Sequence, residues 1–162
     1  MYKLQHPDNL SILEVEKEFI KNSKTLSNLL NDLDSWNSTE PIPISIDYQK
    51  LTNLYSFYNE VKDLMCDDTK LITVLTEDLD GYINKYPGYN KNPPCYEKLF
   101  ELYERIGIDE LCEFLKITDY LDMLGLTRIL SLIYAIYLKN MKNYDEKVEI
   151  FKIMRQRLGH IN

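Results

Sequence analysis

Five carboxylates crowd one stretch of this 162-residue chain: Asp67, Asp68, Glu77, Asp78 and Asp80. Paired carboxyl groups can share general acid and general base work once burial or a neighbouring charge separates their pKa values. Polar residues surround these five, so they read as a solvated acidic face. Cys66, Cys95 and Cys112 are scattered and odd in number, which points neither to a disulfide framework nor to a zinc site. Cys112 falls inside an apolar helical pattern and reads as a small core or surface residue, not a nucleophile. His6 and His160 lie towards the two ends with no Cys or His at ligand spacing. With 5 glycines in all, the chain has neither a glycine-rich phosphate loop nor a nucleophile elbow. The expectation is a protein that is not an enzyme, needs no cofactor or metal, and acts by contact.

Composition narrows the partners. Hydrophobic residues at 44% and charged residues at 28% suit one soluble globular domain with its own core. A formal charge of −7 repels nucleic acid, and only the short tail after Lys139 is locally basic. No basic-then-apolar leader opens the chain and no apolar run is long enough to span a membrane. An intracellular setting, cytoplasmic or nuclear, is therefore expected. Lys outnumbers Arg and Asn, Ile and Tyr are frequent, as in A/T-rich coding sequences of some viruses, parasites and protists.

The elements that must position any working surface can be read along the chain. Tyr2 to Gln5 alternates, Pro7, Asp8 and Asn9 supply a turn, and residues 11–15 resume extended character. A short helical segment runs through Phe19 and Ile20. Ser23 is a candidate N-cap for a helix with the stripe Leu26, Leu29, Leu30 and Leu33. Pro41 and Pro43 permit the alternating isoleucines of residues 41–46 only as an edge strand or a strand start. Asp47 can cap a helix that carries Leu51, Leu54, Tyr55 and Tyr58 on one face. Asp67 and Asp68 open an expected helix bearing Leu71, Val74, Leu75, Leu79 and Tyr82, and residues 86–94 form a loop. Helices are predicted over 96–106, 109–124, 126–141 and 145–158. The third is apolar almost all round, through Ile129, Leu130, Leu132, Ile133, Ala135, Ile136 and Leu138, which marks it for a core or a covered face.

The sharpest signal is residues 111–126. Leu111, Phe114, Leu115, Thr118 and Leu121 recur at helical spacing, so one stripe is buried. Gly125 then reads as the positive-φ residue that ends the helix, with Leu126 opening the next. Such a corner is a scaffold.

Three blocks give the chain a resemblance to the S-phase-kinase-associated (Skp) adaptors, the F-box-binding subunits built on a BTB/POZ fold and related to elongin C. The first is Tyr2-Lys-Leu-Gln-His-Pro-Asp8, continuing through Leu13-Glu-Val15 and Ile20-Lys-Asn-Ser23 to Leu29-Leu-Asn-Asp-Leu33. The second is Pro41-Ile-Pro-Ile44 with the helix that follows. The third and most specific, Leu111-x-Glu-Phe-Leu-x5-Leu121-Asp-Met-x-Gly-Leu126, matches the family's run ending in Asn-Tyr-Leu-Asp-Ile-Lys-Gly-Leu. Asp145, Glu146, Phe151 and Ile153 resemble the start of the family's F-box-contacting tail. Two departures stand out: residues 64–82 replace the family's acidic central loop, and the family's last helix with its late tryptophan has no counterpart, Trp36 being the only tryptophan.

The resemblance implies an α+β, BTB/POZ-like fold: a small three-stranded sheet covered by a helical cluster, with a shortened C-terminal helical extension. Residues 1–141 would be the domain, 62–95 a divergent insertion within it, and 142–162 a helical tail. The implied function is a non-catalytic adaptor joining a cullin to an F-box-type receptor in a ubiquitin ligase. Asp119 and Tyr120 would face the cullin, and a Tyr on a helix suits a contact anchor because it loses little rotamer freedom. Leu132, Ile136, Val148, Phe151 and Ile153 would face the F-box-type protein, either as a groove for a partner helix or as the seam where the last helix closes the core. The competing expectation is a BTB-type module that binds copies of itself or acts as a decoy, without F-box binding.

Overall fold

The computed structural model describes residues 1–33, 36–37, 39–65 and 94–159, the side chains of 94–96 excepted. Strands β1 (Tyr2–Gln5) and β2 (Ile12–Val15) form an antiparallel hairpin with Tyr2 opposite Val15 and Gln5 opposite Ile12. The period of two sends Leu4, Leu13 and Val15 inward, and all three are buried. Side chains of the connecting turn hold its own backbone: Asp8 N–H donates to His6 Nδ1, and Ser11 N–H donates to Asn9 Oδ1. Helices α1 (Lys17–Asn22) and α2 (Lys24–Asp32) carry the chain across to β3 (Ile42–Pro43). This crossover lets β3 run parallel to β1 and gives the order β2-β1-β3. Pro43 thus sits in an outermost strand, where a missing N–H is tolerated. Ile44 N–H then donates to Gln5 O at 2.9 Å.

Helix α3 (Tyr48–Met65) begins where Asp47 Oδ1 accepts the Lys50 N–H at 3.0 Å. Its stripe Leu51, Leu54, Phe57, Tyr58 and Val61 is buried. The Phe19 ring meets Tyr55 and Tyr58 edge-on at 5.1 and 5.0 Å, a geometry that adds about 0.5–1.5 kcal/mol per pair beyond burial alone. Burial also pushes the Tyr58 hydroxyl pKa up. Among the described residues four helices follow: α4 (Pro94–Arg105), α5 (Ile108–Tyr120), α6 (Leu124–Asn140) and α7 (Tyr144–Leu158). At the start of α7, Asn143 Oδ1 accepts the Glu146 N–H at 2.9 Å while Glu146 Oε2 accepts the Lys142 N–H at 3.0 Å. These reciprocal bonds satisfy donors that a helix start would otherwise leave open.

The chain is α+β and mostly helical, and it divides into two compact units. One comprises Met1–Val61 and Glu113–Thr127, with Phe19, Leu54, Tyr58, Phe114 and Leu121 in its core. The other comprises Lys62–Cys112 and Arg128–Asn162, with Leu102, Leu111, Ile129, Leu130 and Ile133 in its core.

The helix expected over 67–82 lies outside the described residues, as do the five clustered carboxylates, Cys66 and His160; the loop expected over 86–94 does too, save Pro94, which opens α4. Two other expectations need correction. The residue with positive φ at the corner is Asp122, at 48°, and Gly125 lies within the first turn of α6. Leu33 ends its stripe exposed, because α2 stops at Asp32; it lines a shallow crevice with Leu29, Pro41 and Pro43.

Candidate protein-docking surfaces

In the first unit, the corner after α5 is fixed from two directions. Asp122 N–H donates to Asp119 O at 3.1 Å, and Met123 N–H reaches back to Thr118 O at 2.9 Å. These are the two bonds of a Schellman motif, with Asp122 in the left-handed position usually given to glycine. The carbonyls still open at this helix end meet the N-terminus of α2. Lys24 N–H donates to Asp122 O at 3.2 Å, and Thr25 N–H donates to Leu121 O at 3.3 Å. Ser23 Oγ accepts the Leu26 N–H at 3.1 Å and donates to Leu121 O at 2.6 Å. Thr25 Oγ1 donates to Tyr120 O at 3.1 Å. One helix end supplies acceptors and the other donors, and their dipoles oppose in sign, so each satisfies the other. Ser23, fully buried, is therefore the polar pin of the corner, while Thr118, equally buried, donates its hydroxyl to Leu115 O within α5 at 3.1 Å.

What this corner holds outward is Tyr120, 56% exposed, and Leu124, 59% exposed. Asp119 and Asp122 beside them are exposed, and Lys24 Nζ stands 3.8 Å from Asp122 Oδ2. The backbone under Tyr120 is locked while its ring meets solvent, so a partner would gain contact area at small entropic cost. The sequence singled out Asp119 and Tyr120 and not Leu124. The signal was present: Leu124 is four residues beyond Tyr120, but taking it as the last residue of the preceding helix hid it. Also on α5, Glu113 has a lysine on either side and accepts a hydrogen bond from one of them, Lys50. Lys50 Nζ lies 2.6 Å from Oε2 and Lys116 Nζ 3.6 Å from Oε1. The Lys50 hydrogen bond leads in holding the Glu113 carboxyl below its usual pKa, against a smaller opposing effect of burial. The same bond raises Lys50 above its usual value.

In the second unit, the five expected receptor-facing residues do not share one face. Leu132 and Ile136 on α6 are buried, at 5% and 2% exposure. On α7, Val148 and Ile153 are half-buried and Phe151 is 55% exposed. At 100° per residue, Ile153 is turned roughly 200° from Phe151, nearly to the other side of α7. Behind the exposed side, Phe151 meets the Tyr134 ring edge-on at 6.2 Å. Cys112 Sγ lies 3.1 Å from Met154 Sδ, and Arg157 pairs with Asp109 at 3.0 Å. The Tyr137 hydroxyl donates to Ile106 O, and burial raises its pKa. Burial likewise raises that of Tyr134, whose hydroxyl has no hydrogen-bond partner among the described residues. Cys112 is 1% exposed and packs as a small apolar residue. Tyr144, 79% exposed and seven residues before Phe151, belongs to the same α7 face and was not singled out from the sequence.

Among the described residues no group of three His, Cys, Asp or Glu is placed to hold a metal ion, and no helix is long and apolar enough to cross a membrane. Comparison with protein-family models, with curated proteins and with solved structures finds no match to this chain.

Proposed function

We propose that this protein is a non-catalytic adaptor of the Skp type, which works inside the cell and joins a cullin scaffold to an F-box-type substrate receptor in a ubiquitin ligase. The observation that carries the reading is the α5–α6 corner. The block that resembles the adaptor family forms a rigid bend whose outer surface is Tyr120 and Leu124, with Asp119 alongside. Tyr120 is the anchor, Leu124 widens the apolar contact, and Asp119 offers a carboxylate acceptor to a donor on the cullin. The element order, a hairpin, two helices and then β3, is the order read from the sequence.

The test is direct binding of the chain to a cullin N-terminal region by calorimetry. Tyr120→Ala should weaken binding by roughly tenfold or more, the loss expected of an anchor worth over 1.4 kcal/mol. Its melting temperature should stay close to that of the parent, because the ring is exposed. A parent chain that binds no cullin removes the adaptor reading. The alternative, a self-associating or decoy module, is favoured by the burial of Leu132 and Ile136, which takes two of the five receptor-facing side chains out of reach.

A further inference from the structure

The two ends of α2 are in opposite situations. Its first N–H groups meet the carbonyls of Leu121 and Asp122. Its last turn carries no basic residue and closes on exposed Asp32, so the negative end of its dipole has no cation from its own helix. At that end lies a crevice of about 160 Å³ lined by Tyr2, Leu29, Leu30, Leu33, Pro41 and Pro43. Exposed Glu40 also lines it. The space is below the roughly 300 Å³ at which sites for drug-sized ligands begin, and it suits one long side chain.

The crevice offers acceptors and no spare side-chain donor. Tyr2 Oη gives its hydrogen to Trp36 O at 2.8 Å, which leaves only lone pairs, and the Glu40 carboxylate has only lone pairs. The backbone adds to this. Successive residues of a strand turn their N–H and C=O groups to opposite edges. Ile44 N–H donates to Gln5 O, and the register of Leu4 with Ile42 turns Ile42 towards β1 as well, so Pro41 and Pro43 turn outward. Neither proline has an N–H. The outer edge of β3 therefore shows two carbonyls and no donor, roughly 6.6 Å apart by the strand rise.

We infer that this crevice takes the arginine side chain of a partner polypeptide. Its aliphatic stem lies along Leu29 and Leu33, and its guanidinium packs on the Tyr2 ring and donates to Glu40 and the prolyl carbonyls. A purely apolar side chain would cover those lone pairs without replacing their water. A carboxylate would meet only acceptors and the negative end of α2. Lysine matches the charge, but its ammonium is a compact and strongly hydrated point, whereas the guanidinium spreads five donors over a plane that stacks on aromatic rings. The chain's own Lys17 does not line the crevice; its Nζ stands 5.5 Å from the centre of the Trp36 ring.

The test is a titration of the isotope-labelled chain with N-acetyl-arginine amide, followed by amide NMR. Shifts confined to the surroundings of Tyr2, Leu29, Leu33 and Ile42 should saturate with a dissociation constant on the order of 1 mM, as befits a single side chain. The citrulline analogue, equal in shape but uncharged, should bind roughly tenfold more weakly, and the lysine analogue about threefold. Glu40→Lys should weaken arginine binding roughly tenfold by like-charge repulsion, and Leu33→Ser about threefold by loss of apolar wall. Both residues are exposed, so both variants should keep the parent circular dichroism; should Glu40→Lys unfold, Leu33→Ser and the citrulline comparison decide. Shifts that never saturate well above that constant overturn the inference, as do shifts centred elsewhere on the chain. A citrulline or leucine analogue that binds as tightly as arginine overturns it too, as does a folded Glu40→Lys that binds like the parent. The inference does not rest on cullin docking: Tyr120→Ala should bind the arginine compound as the parent does, and each reading fails in its own assay.

Discussion

The corner at the end of α5 and the α6–α7 tail present exposed aromatic residues by different physical means. The corner is held by polar groups: two Schellman bonds, and Ser23, Thr25 and the first N–H groups of α2 on the carbonyls of residues 120–122. The tail is held by apolar burial, with Ile129, Leu130, Ile133 and Ile136 at 0–2% exposure and a T-shaped contact between Tyr134 and Phe151. Hydrogen bonds depend on direction and fix the place of one backbone segment, whereas apolar burial is non-directional and sets only which side of a helix faces in. Tyr120 thus stands on a geometrically defined platform. The outward residues of α7 are instead set only by which of its neighbours pack inward, Met154 foremost.

Three measurements break or sharpen that contrast. Ile133→Ala should have the largest effect, a loss of about 2–5 kcal/mol in denaturant unfolding, because Ile133 is wholly buried and its removal leaves a cavity. Ser23→Ala should cost less, about 1–2 kcal/mol, although it removes a single oxygen. It deletes both the N-cap to Leu26 and the donor to Leu121 O, 98 positions away. A harmless Ser23→Ala would show that the corner is not held by polar groups and would erase the contrast.

The smallest effect belongs to Glu113. Its pKa is lowered in the folded chain, chiefly by the Lys50 hydrogen bond, so the stability it adds is present above its unfolded value near 4.5 and fades as pH falls through the lower folded value. The pair is partly exposed, so its worth is screened to about 0.2–1 kcal/mol. The melting difference between parent and Glu113→Gln should be small at pH 7 and shrink towards pH 3. A difference that grows on acidification would contradict the assigned sign.

Much of the fold was legible in local pattern. Ser23 and Asp47 were read as caps and each accepts the helical N–H it should. The prolines of 41–46 limited that stretch to a sheet edge or a strand start, and β3 is an outermost strand. The four later helices were placed to within a few residues. The faces were less legible: Phe151 and Ile153 are both apolar and near in sequence, yet they lie on nearly opposite sides of α7. Their two-residue spacing already parts them, and exposure shows which of the two faces out.

The chain's own residues determine the elements, their caps and the stripe through Leu111, Phe114, Thr118 and Leu121, because periodicity and capping are set by neighbours a few positions away. Where α5 ends was not determined there. Glycine is the easier left-handed residue, and Gly125 was the local choice, but the left-handed turn comes three residues earlier at Asp122. The N-terminus of α2, almost a hundred residues upstream, brings its donors to the carbonyls of Leu121 and Asp122. Satisfying those buried carbonyls outweighs the modest cost of a left-handed aspartate. That balance exists only once the chain has folded, and it decides where the exposed Tyr120 and Leu124 stand.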